Sequence, residues 1–169
     1  SQQFLHLSLQ SGLQLNLSKI QLLQLLLVSS QLVVELLLQG QWLLTYVPDA
    51  KTPCADACDR MLFMQRQLRE TLGREKDRLD WVWLRTGDTP LSEPLKQATA
   101  AAQVLQIDAQ ALAAWLQPAP GQRLSDHLYV VDPLGNWMMR FPANVDPKQA
   151  KRDLDRLLRA SSFWDKAGR

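Results

Sequence analysis

The sequence predicts an α/β fold, a mixed sheet of about four or more strands flanked by helices. Three observations point there. Short apolar runs rich in β-branched and aromatic residues ("WLLTYV", "LDWVWLRT", "HLYVVD") alternate with stretches whose apolar residues recur at helical spacing. Helices standing between the first strands argue for parallel crossovers. Near the end, "PLGN" joins two apolar runs by a tight turn, adding an antiparallel hairpin.

Taken in order, "WLLTYV" at 42–47 reads as a buried strand that ends at Pro48. A loop holding the chain's two cysteines follows. Ala57, Met61, Met64, Leu68 and Leu72 then recur on one helical face, and Gly73 stops that helix. "LDWVWLRT" at 79–86 is a second strand with Trp81 and Trp83 on one face, and "GDTP" turns the chain. Residues 91–117, rich in Ala, Leu and Gln, read as helix in two pieces divided near Ile107 and Asp108. After "PAPG", "HLYVVD" at 127–132 is a third strand and "WMMRF" its hairpin return, closed by Pro142. Met138 and Met139 are adjacent on that return, so they face opposite ways and form no thioether clamp. "DPKQAKRDLDRLLRASSF" is an amphipathic helix with Asp146 as N-cap and Pro147 in its first turn. Strand, helix, strand, helix, strand, strand, helix is the element order of a thioredoxin-like domain, assigned to residues 41–169.

Residues 1–40 stand apart. Leu, Gln and Ser supply 29 of them, and Arg, Ala, Asp, Pro, Thr and Tyr are missing. "IQLLQLLLVSSQLVVELLL" is apolar enough to suggest a bilayer span. However, Glu35, two serines and three glutamines oppose it, because a carboxylate at a bilayer centre costs about 3 kcal/mol. Extra buried strands or an amphipathic segment are the expectation. With 19 basic and 17 acidic residues and no basic stripe interleaved with aromatics, nucleic acid is excluded as the expected partner.

The chemistry rests on "TPCADAC". Cys54 and Cys58 are separated by three residues and sit where the first strand gives way to its helix. Two cysteines in a chain this long can be inert small hydrophobes. Their small and polar neighbours (Pro53, Ala55, Asp56, Ala57, Asp59) instead indicate a loop and a first helical turn. The positive end of a helix dipole favours the thiolate, which is both nucleophile and metal ligand. With Cys58 in the first turn the pair comes within disulfide reach. Dithiol–disulfide exchange and metal binding both remain open. Two thiolates suit Cu(I), and a nitrogen ligand would extend the site to Cu(II). Structural zinc normally takes four ligands. Of the two histidines, His6 lies in the unusual N-terminal segment, so His127 is the candidate third ligand, at a strand end able to face the cysteine loop.

With these motifs in hand, residues 40–162 resemble the Sco/SenC/PrrC group of thioredoxin-like factors, and a divergent proteobacterial branch of it. The resemblance lies in "GQWLLTYV", "CADAC", "RTGDTPLSEPL" and "HLYVVDPLGNWMMRFP". It implies an assembly factor for cytochrome c oxidase, a metallochaperone or thiol-exchange factor more than a turnover enzyme. In such a factor Cys54, Cys58 and His127 hold copper, or the cysteines act on client thiols. The implied partner is an oxidase subunit or another copper- or thiol-handling protein. The implied location is the periplasmic side of a bacterial inner membrane, with the anchor upstream of Ser1. The sequence departs from the group in three places. Ala55 and Asp59 replace prolines beside the cysteines, no proline precedes the third strand, and the group's histidine aligns nearer Leu124 and Ser125. A metal-independent thiol–disulfide oxidoreductase and a docking module without chemistry are the alternatives.

Overall fold

The computed structural model describes Gln21 and residues 40–162; the segment set apart as 1–40 therefore lies, apart from Gln21 and Gly40, outside the described residues. Its order is β1 (Trp42–Tyr46), α1 (Asp56–Thr71), a 3-10 turn (Gly73–Arg78), β2 (Leu79–Arg85), α2 (Glu93–Ala98) and β3 (Gln103–Gln106). Then come α3 (Ala109–Trp115), a 3-10 turn (Leu124–Asp126), β4 (His127–Val131), β5 (Trp137–Pro142) and α4 (Pro147–Ala160). The five strands form one sheet ordered β3-β2-β1-β4-β5. β1, β2 and β3 run parallel to one another, whereas β4 is antiparallel to both β1 and β5. The thioredoxin-like mixed sheet is therefore present.

One strand departs from expectation. The break inside the Ala/Gln/Leu-rich region is β3, four residues paired to the edge of β2 from Val82↔Gln103 to Arg85↔Gln106. Local helix propensity gave way to a sheet edge with open hydrogen-bonding groups. Asp108 then caps α3 by accepting from the Gln110 and Ala111 N–H groups at 2.9 and 3.0 Å.

Strand alternation divides the core into two layers. Leu44, Tyr46, Trp81, Trp83, Leu128 and Val130 face α1 and α4. Leu43, Val82, Leu84, Tyr129 and Val131 face the opposite side, with Leu112 and Leu116 of the α3 region. The buried stripe of α1 is Cys58, Met61, Leu62, Gln65 and Leu68; Ala57, expected on it, is exposed. Gln65 is the polar member. Its Nε2 donates to the Leu44 and Val82 carbonyls at 2.6 and 3.1 Å, and its Oε1 accepts from Trp83 Nε1 at 2.8 Å. A single amide thus fixes α1 across β1 and β2. At the other end Asp146 caps α4, accepting from Gln149 N–H at 3.1 Å, as expected. The hairpin turn is held by Asp132, which accepts from the Leu134 and Asn136 N–H groups, and by Gly135 at φ +88°. Met138 is exposed and Met139 packs on the core, so the two methionines do point apart. Among the described residues no helix is long and apolar enough to cross a membrane.

Candidate functional site

α1 begins with Ala55 at its N-cap and no side chain satisfying the end, so its first N–H groups and dipole point toward the loop that carries Cys54. Cys58 occupies the first turn. The two sulfurs form a disulfide with Cα atoms 5.2 Å apart. Their surroundings differ. Cys54 is exposed, whereas Cys58 is 7% exposed and belongs to the core layer beneath α1. An incoming thiolate would therefore meet Cys54 Sγ, form the mixed disulfide there and expel Cys58 as leaving group. In the reverse direction the accessible Cys54 thiolate would attack, and Cys58 would resolve. Asp59 Oδ1 lies 3.9 Å from Cys54 Sγ. Asp56 shares the same first turn.

The disulfide opens onto a groove of about 560 Å³ built from three loops. The first carries Pro48 to Ala55, the second Arg85 to Ser92, and the third Arg123, Ser125 and Asp126. The "RTGDTP" motif singled out in the sequence is thus one wall of the groove that holds the cysteines. Arg123 straps the third loop to the first: its Nη1 donates to Asp49 Oδ2 at 2.9 Å, and its Nη2 reaches Asp126 Oδ1 at 3.5 Å. The Lys51 N–H bond holds the Asp49 carboxyl below its usual range, with Thr52 and Arg123 adding to the effect. Tyr46 and Trp83 line the floor, edge to face at 5.3 Å. Burial, then Asp126, pushes the Tyr46 phenol up to about 12, so it stays neutral.

His127 lies elsewhere. Its strand end is the expected one, since Tyr46 at the end of β1 pairs with Leu128. Its side chain, however, takes the other face with Tyr129, the rings meeting edge to face at 5.8 Å. It is 2% exposed, and its Nε2 accepts from the Ala119 N–H at 3.1 Å. Burial, reinforced by Arg140, lowers its pKa against the opposing effects of Asp126 and the Phe141 backbone. The structure thus brings Cys54 and Cys58 together and does not bring His127 to them. Among the described residues no three His, Cys, Asp or Glu side chains gather into a metal-holding group. His6 lies outside the described residues. Sequence reasoning missed Gln65 and Arg123. Gln65 interrupts an apolar stripe at i+4 from Met61, the signal that could have found it; nothing local marks the Arg123–Asp49 strap, which spans 74 residues.

The geometry matches known folds. The solved structure of Bradyrhizobium japonicum ScoI with copper bound is similar at 19% identity, covering 72% of this chain and 88% of that one, with a TM-score of 0.52. Yeast Sco1 with copper bound gives 18% identity, 75% and 80% coverage and a TM-score of 0.56. A SCO1/SenC family lipoprotein from Bacillus anthracis gives 17%, 71% and 83%, and 0.51. At such identities the likeness is one of fold. No curated protein matches the sequence. Residues 42–161, most of the chain, match the family described as transmembrane-like, thioredoxin-like, C-terminal domain, and the chain belongs to that family.

Proposed function

We propose that this chain is a Sco-like assembly factor for cytochrome c oxidase, handling copper and client thiols through Cys54 and Cys58. One observation carries the reading: a sulfur pair at the N-terminus of α1, one sulfur exposed, at the mouth of a groove. The folds of the copper-bound ScoI and Sco1 structures support it. Reduction takes two electrons and two protons to open the disulfide. The resulting dithiol is the form that accepts copper, so oxidation and metallation compete for the same sulfurs. The client is an oxidase subunit or another copper- or thiol-handling protein, met on the periplasmic side of the inner membrane, where a membrane anchor holds the domain.

The test is a Cu(I) titration of the anaerobically reduced protein. It should bind about one copper per chain, the oxidised protein none, and Cys54→Ala should abolish binding. Weak, non-stoichiometric uptake by the reduced protein contradicts the copper role. A second reading, a metal-independent thiol–disulfide oxidoreductase, is favoured by the placement of His127 away from the sulfurs. It predicts rapid reduction or oxidation of a client disulfide with no stoichiometric copper.

A further inference from the structure

We propose that the sulfur pair holds copper only as Cu(I), and that Cu(II) reaching the reduced pair is consumed as an oxidant rather than bound. This rests on the copper reading above and goes beyond it in fixing the oxidation state of the cargo. Soft thiolates select Cu(I), whereas Cu(II) favours tetragonal sets rich in nitrogen and oxygen. Two sulfurs whose Cα atoms lie 5.2 Å apart supply the first requirement. The second is not met by the described imidazole. His127 Nε2 already accepts the Ala119 N–H, and the ring is packed beside Tyr129 on the sheet face away from α1. Because side chains alternate along a strand, the present register of β4 sends His127 and Tyr129 to one face and Leu128 and Val130 to the other. A one-residue slip of the whole strand would bring the ring across, but it would also move Leu128 and Val130 out of the layer beneath α1. Nearby oxygen donors do not replace it: Asp59, 3.9 Å from Cys54, and Asp56 of the same first turn bring carboxylates but no nitrogen.

Without a ligand that stabilises Cu(II), the reaction open to it is electron transfer from sulfur. Two thiols and two Cu(II) ions give one disulfide, two Cu(I) ions and two protons. Two S–H bonds break, one S–S bond forms, and each copper gains one electron. The product disulfide is the one observed between Cys54 and Cys58. The same pair therefore stores Cu(I) when copper arrives reduced and closes when copper arrives oxidised.

The experiment gives the full reduced chain, without oxygen, either one equivalent of Cu(I) or two equivalents of Cu(II). It follows the Cu(II) paramagnetic resonance, the visible sulfur-to-copper absorption, the free thiols and the Cu(I) captured by a chromogenic chelator. With Cu(I), one ion should be retained per chain. With Cu(II), the resonance should disappear, both thiols should be lost, and two Cu(I) per chain should reach the chelator with no lasting absorption band. A stable, resonance-active Cu(II) with a sulfur-to-copper band overturns the proposal while leaving the copper reading intact. Repeating that measurement with His127→Ala and His6→Ala then identifies the ligand. Unreacted Cu(II) beside intact thiols also overturns it. Failure to retain Cu(I) overturns both the proposal and the reading beneath it.

Discussion

The two faces of the sheet near the β1–β4 junction differ in what they do with polar atoms. On the α1 face, the disulfide sits at a helix end with one sulfur in solvent, beside a groove bounded by three loops. On the α3 face, His127 is enclosed and its ring nitrogen serves the backbone at Ala119. The first face keeps one sulfur of the disulfide in solvent; the second uses a titratable ring as a fixed acceptor. Two residues can thus lie near one sheet end, close along the chain's topology, and still belong to separate chemistries because strand parity sends them apart.

Substitutions should separate the two faces, and the largest effect is chemical. Cys54→Ser should remove thiol exchange entirely in a turnover assay with a small disulfide substrate. Its stability cost should stay near or below about 2 kcal/mol, because the bond closes only a short loop. Appreciable exchange by Cys54→Ser would place the reactive sulfur elsewhere.

Next in size is Gln65→Ala. It leaves the buried Trp83 indole N–H and two strand carbonyls without partners, at about 3 kcal/mol by denaturant titration. A loss under about 1 kcal/mol would show that water replaces the amide.

His127→Ala should cost about 2 kcal/mol through lost packing and the unpaired Ala119 N–H, while Cu(I) stoichiometry stays unchanged. The pH dependence follows from the same residue. Folded His127 takes a proton less readily than the unfolded imidazole, which titrates near 6.5. The unfolded chain therefore binds more protons. Stability should be complete above about pH 6.5 and decline as pH falls below it toward the folded pKa. His127→Phe should flatten that decline, and an unchanged slope would mean other groups cause it.

The smallest effect belongs to Arg123→Ala. Exposed ion pairs contribute up to about 1 kcal/mol, so melting should barely shift. Proteolysis within the cysteine loop should rise, because the strap ties Asp49 of that loop to Arg123; an unchanged rate would show that the strap does not restrain it.

The legible parts of the molecule were those with local physical signals. Pro48, Gly73 and the Asp132–Asn136 turn punctuate the chain, and the Asp146 cap is written into its own tetrapeptide. β3 was hidden because "QVLQ" sits in a helix-favouring run and is half-buried, so only its pairing with β2 makes it a strand. The cysteine pair was legible from its place after β1. The orientation of His127 was not, because all five residues of β4 are buried and leave no polar–apolar alternation to reveal which face each side chain takes. Strand position could be read, and parity could not.

The division between the faces is tested most directly by X-ray absorption at the copper edge of the reduced, Cu(I)-loaded chain. Two sulfur neighbours with no imidazole scattering, unchanged in His127→Ala, is the expected spectrum. An imidazole shell that vanishes in His127→Ala would contradict it, because that ring would then have reached the sulfurs from the far side of the sheet.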